Sequence, residues 1–174
     1  GRDAGAALAA LGPGGAFAVA AEAARRLREM LEGIERWQAH SHHRRLPDPP
    51  AIWSVGAARL LDYGADHPPG APVVLVTPSL VNSAAILDLH PARSLLRALA
   101  AAGLRPLLLD WGAPGAQERR FDLDAYHRAR VLPAARVAAE LQGGPVAALG
   151  YCMGGAFAAA LAARRPELVS RLAL

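Results

Sequence analysis

AALGYCMGGAFA, residues Ala147–Ala158, is the stretch that decides the fold of this chain. An apolar run leads into it and an alanine-rich helical pattern follows, which predicts a strand, a sharp turn and a helix. Cys152, the only cysteine of the chain, stands at the apex of the turn. The strained backbone at such an apex leaves no room for a Cβ two residues before and two residues after it, and these positions are Gly150 and Gly154.

The pattern G-x-[nucleophile]-x-G is typical of the nucleophile elbow of the α/β-hydrolase fold, written here with Cys152 where serine is more common. A further glycine, Gly155, follows directly after the pattern. An elbow places its nucleophile at the N-terminal end of a helix, where free N–H groups and the helix dipole favour a thiolate. A lone cysteine among small residues is more often a buried apolar side chain. The strand pattern before it and the helix pattern after it favour the elbow.

Strand and helix patterns alternate along the chain. The residues around Gly56 predict an antiparallel hairpin, and Pro133 predicts a kink or a break in a long helix. The alternation predicts an α/β fold, with a mostly parallel sheet, helices on both faces and the nucleophile at the carboxyl end of a central strand. The predicted strands are Ala71–Val76, Arg105–Asp110, Pro145–Leu149 and Leu168–Leu174, and the predicted helices are Arg93–Ala102, Asp122–Gln142 and Met153–Arg164.

The first 50 residues differ in character from the rest. Residues 1–50 predict a tail, an amphipathic helix at Ala18–Gln38 and a linker, ahead of the N-terminal part of a hydrolase domain at residues 51–174. The apolar face of the helix packs either on its own domain or on a partner or apolar surface. The linker, His40–Pro50, holds clustered histidines, but no cysteine or carboxylate has the spacing of a closed metal site, so no metal is predicted. The apolar face consists of Leu27, Met30, Leu31, Ile34 and Trp37.

The composition argues against several classes of protein. A hydrophobic content of 53% with 20% charged residues is that of a globular chain. The net charge is +4, but the arginines are scattered among acidic residues, so nucleic acid is not a predicted partner. No apolar stretch is long enough and free enough of glycine and proline to predict a transmembrane segment. A single cysteine excludes an internal disulfide and suits a reducing cytoplasm.

Acyl transfer through a thiolate needs an oxyanion site and a general base. In the elbow architecture the oxyanion site uses the N–H of the residue after the nucleophile, which is Met153. A second N–H comes from the loop after an early buried strand, where Leu80 and Val81 are the candidates. The acid and the histidine base follow the nucleophile in chain order. No histidine follows Cys152 in this sequence.

The upstream histidines are out of order for this role. His90 precedes a proline, which predicts that it begins a helix, and His127 is predicted on the polar part of its helix; neither is predicted to be the base. The chain starts at Gly1 and ends within the predicted strand Leu168–Leu174. We therefore expect an N-terminal fragment of a hydrolase truncated after the elbow helix, with acid and base beyond Leu174 and no turnover by this chain alone.

Several motifs together resemble the polyhydroxyalkanoate synthases of the short, two-subunit type. The elbow Gly150–Gly155 matches their lipase-like box, G-x-C-x-G-G, and the resemblance covers about Ile52–Leu174. Four further motifs accompany the box, and the five together are far more specific to this family than the box by itself. The other motifs are Pro78–Asn82 with Ile86–Leu89 (P-x-[IV]-N…[IM]-L-D-L), Pro91–Leu95 (P-x-R-S-[LF]), Leu109–Pro114 (D-W-G-x-P) and Leu123–Tyr126 (L-D-[DA]-Y).

The resemblance implies an acyltransferase that takes 3-hydroxyacyl-CoA and adds the acyl group, through a Cys152 thioester, to a growing polyester with release of CoA. No cofactor is implied, because the substrate itself carries coenzyme A. The resemblance also implies a cytoplasmic protein, on polyester granules or free, that works with an accessory synthase subunit or as a homodimer. Ser83–Ala85 depart from the bulky pair that often follows the loop asparagine in the family, which alters the expected shape of the substrate channel.

Two other interpretations remain open. A dienelactone-hydrolase-like cysteine hydrolase shares the G-Y-C-x-G-G pattern, but it is not expected to carry the loop Asn82–Asp88 or the residues Asp110–Gly112. A non-catalytic relative would instead be a binding or granule-surface subunit, with Ala18–Gln38 as its docking helix. The presence of an aspartate and a histidine at the usual downstream strand ends would indicate an enzyme, and their absence would favour the binding role.

Overall fold

The computed structural model describes Gly5, Ala10, residues 12–41, Arg44 and residues 46–174. By its internal contacts the chain divides into two units, residues 1–43 and residues 44–174. Each unit has its own set of contacts and is described separately below. Within the described ranges, no helix combines the length and the apolar character needed to cross a bilayer.

The described part of the first unit is dominated by one helix, α1 (Gly12–Ala39), which contains the predicted helix and extends it at the N-terminal end. None of its residues is buried. Arg25 forms ion pairs with Glu22 and Glu29, one turn away on either side, and such pairs stabilise an exposed helix by a few tenths of a kcal/mol each. Of the histidines in the predicted linker, His42 and His43 lie outside the described residues.

The second unit is built on a six-stranded sheet. Its strands are β1 (Ala51–Val55), β2 (Ala58–Asp62), β3 (Val73–Thr77), β6 (Arg105–Asp110), β7 (Val146–Gly150) and β8 (Val169–Ala173). Two further strands, β4 (Asp88–His90) and β5 (Arg93–Ser94), form a separate two-stranded ladder. The order in the large sheet is β1-β2-β6-β3-β7-β8. β1, β2 and β6 pair antiparallel, whereas β6, β3, β7 and β8 pair parallel, which confirms the predicted hairpin and the mostly parallel sheet.

Helices cover both faces of this sheet, as predicted. Alternate residues of the strands contribute to two different core clusters, because successive side chains of a strand point to opposite faces. Leu96, in the helix α2 (Leu95–Ala101), shares one cluster with Val76, and Phe157, in the helix α5 (Met153–Arg164), shares the other with Leu75. The helices of the second unit are α2 (Leu95–Ala101), α3 (Leu123–Tyr126), α4 (Leu132–Gln142) and α5 (Met153–Arg164).

A π-helical turn, His127–Val131, separates α3 from α4 where the sequence predicts one long helix. Pro133 accounts for the interruption that was predicted at this place, because it has no N–H to donate to the carbonyl of Ala129. The Leu132 N–H instead reaches back five residues, to the carbonyl of the first residue of the turn. The Ala129 carbonyl accepts a hydrogen bond from Nη1 of Arg130 at 2.9 Å.

A buried carboxylate, Asp88, fixes the segment that follows β3. Its side chain is 1% exposed, and its oxygens accept hydrogen bonds from Arg97 Nε at 2.8 Å, Arg44 Nη2 at 2.7 Å and the Tyr63 hydroxyl at 3.1 Å. Burial alone would raise the pKa of Asp88, but hydrogen bonds from Arg97, Ser94, Arg44 and Tyr63 outweigh burial and lower this pKa to about 2. Asp88 therefore remains ionised and ties α2 to residues that precede the sheet and follow β2.

The helix predicted at Arg93–Ala102 begins later, at Leu95. Arg93 and Ser94 pair with β4, so they are extended, and the Ser94 hydroxyl oxygen caps the helix by accepting from the Arg97 N–H at 3.0 Å. Residues predicted as the end of an ordered loop and the start of a helix thus form a short ladder. This ladder needs the pairing of two segments, which a local pattern does not reveal.

Candidate active site

Cys152 stands at the turn between β7 and α5, as the elbow pattern predicts. Its φ of 56° and ψ of −125° make it the only non-glycine residue with a positive φ in the described part of the chain. This conformation is strained for a residue that carries a Cβ, and such strain is concentrated at functional sites. The residue is exposed, so the thiol is open to solvent and is not an apolar side chain of the core.

The two glycines of the elbow pattern are sterically required. A Cβ on Gly150 would overlap the backbone of Gly155, and a Cβ on Gly154 would overlap the carbonyl oxygens of Thr77 and Pro78. The third glycine, Gly155, differs from them. The atom nearest to an added Cβ there lies at an ordinary contact distance of 3.5 Å. The first turn of α5 therefore packs directly against the end of β3 through Gly154.

Two hydrogen bonds attach the end of β3 and its loop to neighbouring elements, and a third lies within the loop. The Tyr151 N–H donates to the Thr77 carbonyl at 2.9 Å, and Nε1 of the buried Trp111 donates to the Pro78 carbonyl at 3.2 Å. The Val81 N–H donates to the Ser79 hydroxyl oxygen at 3.3 Å. These contacts attach the loop to the elbow on one side and to the residue after β6 on the other.

The two candidates for the loop donor of the oxyanion site have different surroundings. The Val81 N–H is already engaged by Ser79, and the Val81 side chain is 76% exposed. Leu80 packs against the same core cluster as Met153. Among the described residues, neither the Leu80 N–H nor the Met153 N–H has a hydrogen-bond partner. The free pair of donors is therefore the one formed by Leu80 and Met153.

The two upstream histidines lie in positions that differ from those predicted. His90 ends the short strand β4 and does not begin a helix; its Nδ1 accepts from the Ala92 N–H at 3.2 Å. His127 is 4% exposed and so does not lie on the polar part of its helix. It lies four residues before the buried Val131, and the wide π turn keeps the two on nearly the same side. Extending the apolar period backwards from Val131 would have found this position.

Both ring nitrogens of His127 are buried without a hydrogen-bond partner in the described part of the chain. Burial lowers the pKa of His127; the positive charge of Arg164 acts in the same direction, and the negative charge of Asp124 opposes it. The imidazole is therefore held in its neutral form. His127 and Met153 both line a pocket of about 300 Å³ between α3 and α5. The sequence patterns did not predict this pocket.

The α/β-hydrolase fold family matches residues 72–174, which include β3, the elbow and α5. This chain belongs to the α/β-hydrolase family. The predicted fold class is thereby confirmed, together with the parallel sheet and the helices on its two faces.

This α/β hydrolase is similar to curated polyester polymerases, which confirms the resemblance found in its motifs. It is 32% identical over 125 residues to the poly(3-hydroxyalkanoate) polymerase subunit PhaC of Haloferax mediterranei, covering 71% of the chain and 25% of that protein. It is 33% identical over 120 residues to the subunit of the same name from Allochromatium vinosum, covering 66% of the chain and 34% of that protein. The chain spans about a quarter to a third of the length of these relatives.

Solved structures share the fold of this α/β hydrolase at low sequence identity. The thioesterase domain from the curacin biosynthetic pathway superposes with a TM-score of 0.51 at 20% identity, covering 64% of the chain and 37% of that domain. A soluble variant of the monoglyceride lipase from Saccharomyces cerevisiae also gives a TM-score of 0.51, at 14% identity, covering 76% of the chain and 45% of the lipase. These likenesses show the fold and nothing finer.

Proposed function

We propose that this α/β hydrolase is an acyltransferase of the polyester-synthase kind, which moves the acyl group of a 3-hydroxyacyl-CoA through Cys152 onto a growing polyester chain. The observation that carries the proposal is the exposed Cys152 at a positive φ, directly before the first turn of α5. The similarity to poly(3-hydroxyalkanoate) polymerase subunits supports the substrate class. An exposed thiol at a helix N-terminus is also where a thiolate is most stable.

The proposed reaction has two acyl transfers. In the first, the Cys152 thiolate attacks the thioester carbonyl of the substrate, a new C–S bond forms, and CoA leaves as a thiolate that is then protonated. In the second, the hydroxyl group at the end of the polyester attacks the acyl-enzyme, loses its proton to a base, and releases the Cys152 thiolate. Substrate and intermediate are both thioesters, so the first transfer is close to balanced in free energy. No resident cofactor takes part, since coenzyme A arrives with the substrate.

We assign the oxyanion site of this mechanism to the N–H groups of Met153 and Leu80. Both transfers pass through a tetrahedral oxyanion, which needs donors that are not otherwise engaged. The free Leu80 N–H meets this condition, whereas the Val81 N–H is bound to Ser79. The described residues include no histidine that hydrogen-bonds to Cys152, so the general base is not assigned to a residue of this chain.

The assignment of Leu80 is tested with two proline substitutions, each of which removes one N–H. We expect Leu80→Pro to slow acylation of Cys152 by about 10²–10³-fold, which is typical for the loss of one oxyanion donor. Val81→Pro is the matched control and should retain most of the rate. Circular dichroism checks that both variants are folded. Equal losses in the two variants would contradict the assignment.

The function itself is tested with the protein in its natural full length and 3-hydroxybutyryl-CoA. We expect intact-protein mass spectrometry to show one hydroxybutyryl group on Cys152, together with CoA release, within a single turnover, followed by insoluble polyester. Cys152→Ala should abolish all three signals. If CoA is released without polymer and the protein instead opens lactones, the dienelactone-hydrolase-like alternative is correct. If Cys152 is never acylated but the protein binds polyester granules, the non-catalytic alternative is correct.

The cellular location follows from the product of the proposed reaction. A growing polyester becomes insoluble, so an enzyme that extends it works at the surface of the granule, within the cytoplasm. An accessory subunit or a second copy of the chain is expected to complete the synthase. Co-purification of the protein with isolated granules would support this location.

A further inference from the structure

The pocket between α3 and α5 is built mainly from apolar side chains. Leu123 comes from α3, Met153 and Phe157 come from α5, and the volume is about 300 Å³. This volume is at the lower end of the range for small-molecule sites, which are typically apolar with a few placed polar groups. His127 is the buried polar group here, and we call the site the His127 pocket.

The imidazole of His127 lacks the partners that a buried polar group normally has. It is 4% exposed, and neither ring nitrogen has a hydrogen-bond partner among the described residues. Burying a polar group without a partner is unfavourable, and buried polar atoms are therefore nearly always satisfied. A leucine would fill the same space without this penalty. The unpartnered nitrogens thus point to a ligand that supplies the missing hydrogen bonds.

The position of the pocket connects it to the elbow. Met153, the residue directly after Cys152, lines it at one end, and Arg164, the last residue of α5, lines it at the other. The pocket therefore follows α5 for roughly 16 Å at 1.5 Å per residue, starting beside the nucleophile. One end of the pocket is thus formed by the residue next to Cys152 in the sequence.

The charges around the pocket favour a neutral occupant. Arg164 and Asp124 both line it, and they form an ion pair with each other at 2.7 Å, so neither is an unpaired charge. Arg128 contacts the same carboxylate at 3.0 Å. Burial lowers the pKa of His127 and favours the neutral ring, in which one nitrogen is a hydrogen-bond donor and the other an acceptor. This pattern does not select a phosphate; it matches an aliphatic chain that carries hydroxyl and ester oxygens.

We propose that the His127 pocket binds the aliphatic hydroxyacyl chain of the growing oligoester, with the His127 ring hydrogen-bonded to an ester carbonyl or hydroxyl oxygen. The proposal rests on the function proposed above and assigns the part of the substrate that lies beyond the reacting carbonyl. His127 is a binding residue in this proposal, and it takes no part in the transfer of the acyl group.

The test uses the full-length protein and, as its probe, the methyl ester of a linear 3-hydroxybutyrate trimer. We expect the trimer to bind the wild-type protein and to shift the ring-nitrogen resonances of His127 in labelled protein. His127→Leu should weaken binding by about tenfold, the effect of one lost hydrogen bond. His127→Gln, which keeps a donor and an acceptor, should retain most of the affinity. His90→Leu changes an exposed histidine outside the pocket and should bind as the wild type does.

Two results would overturn the proposal. The first is that the trimer binds the wild type and His127→Leu with equal affinity. The second is that Cys152 is acylated normally, but the trimer does not bind and the His127 resonances do not shift. The second result would mean that another part of the protein fills the pocket. If His127→Leu is unfolded, the resonance shift in the wild type decides. Failure of Cys152 acylation with the trimer still bound at His127 would refute the proposed function and leave the binding site in place.

Discussion

Gly154 and Gly155 are neighbours in the first turn of α5, yet a methyl group would meet very different surroundings at the two positions. At Gly154 it would overlap the carbonyl oxygens of Thr77 and Pro78, whereas at Gly155 its nearest neighbour is at 3.5 Å. We expect Gly154→Ala to lower the free energy of unfolding by about 1–3 kcal/mol, the range for overpacking a tight contact. Urea denaturation measures this change.

Gly155→Ala is the matched control for this substitution. Alanine is favoured over glycine within a helix by roughly 0.5–1 kcal/mol, so this variant should be as stable as the wild type or slightly more stable. We also expect the rate of Cys152 alkylation to change in Gly154→Ala alone, because the elbow is displaced only there. Equal stability of the two variants would show that the loop after β3 can move away from α5.

The neutral, buried His127 gives the protein a stability that depends on pH. Burial, reinforced by Arg164 and opposed by Asp124, lowers the pKa of His127 in the folded state. The unfolded chain therefore binds the proton more readily, and stability must fall as pH drops below the unfolded pKa of about 6.5. The loss amounts to at most about 1.4 kcal/mol per pH unit for one group. Urea denaturation at about pH 7.5 and about pH 5.5 brackets this window.

His127→Gln removes this titration, and its free energy of unfolding should change less between the two pH values than that of the wild type. His90→Gln, at an exposed position, should keep the wild-type change. Asp88 and Glu118 contribute little to the change in stability between these two pH values. Their pKa values are lowered to about 2, so their protonation destabilises the protein mainly at lower pH. A wild-type change preserved in His127→Gln would contradict the assignment to His127.

The roles of single residues in the fold were predictable where they depend only on neighbouring residues in the sequence. The strained apex at Cys152 and the close approach at Gly150 and Gly154 follow from the elbow pattern itself. The choice between Leu80 and Val81 was not predictable, because it depends on where the Ser79 hydroxyl points.

At the scale of elements, Asp88 holds β4 and α2 to more distant parts of the second unit. Asp88→Asn keeps the shape of the side chain but leaves Arg44 and Arg97 without their buried partner. Breaking a buried charge pair destabilises by several kcal/mol. Both arginines reach solvent, so we expect a loss at the lower end of that range, about 3 kcal/mol. Chemical denaturation at neutral pH measures it.

Asp48→Asn is the control for this prediction, because Asp48 pairs with Arg44 as well. Asp48 is 43% exposed, and exposed ion pairs contribute less than about 1 kcal/mol. Equal stability of the two asparagine variants would contradict the prediction. It would mean that the ion pairs of Asp88 do not hold β4 and α2 in place, and that the backbone hydrogen bonds between β4 and β5 do so alone.

The elements predicted best are the ones whose pattern is set by burial. The strand at Arg105–Asp110 and the helix at Met153–Arg164 have the bounds that the sequence predicted. The ladder of β4 and β5 was missed, since its pairing joins segments without an apolar period. Pro133 predicted an interruption of the helix, but it did not predict that the interruption takes the form of a π-helical turn.

At the scale of the whole molecule, β8 is an edge strand of the sheet in this chain and its side chains are largely exposed. An exposed edge offers unpaired N–H and C=O groups to a second copy. We expect the 174-residue chain to associate with rising concentration, and Leu172→Lys to reduce this association. Size-exclusion chromatography over a range of concentrations provides the measurement.

Leu95→Lys is the matched control, because Leu95 is exposed to the same extent as Leu172, 42%, but lies on α2. It should leave the association unchanged. Equal effects of both substitutions would mean that association follows general surface hydrophobicity and not the sheet edge.

The overall architecture was predictable because the alternation of strands and helices permits few connections in a parallel sheet. The arrangement around Cys152 was only partly predictable. It depends on contacts between segments far apart in sequence, such as Trp111 with the Pro78 carbonyl and His127 with the start of α5.

The exposure of Cys152 also exposes the protein to oxidants. Because the chain has no second cysteine, oxidation of this thiol cannot be relieved by an internal disulfide. A sulfenic acid formed here has only small thiols or another protein molecule as reducing partners, and further oxidation to the sulfinic acid is irreversible in most proteins. The fraction of molecules of this chain with a reduced Cys152 thiol therefore depends on the thiols that surround it.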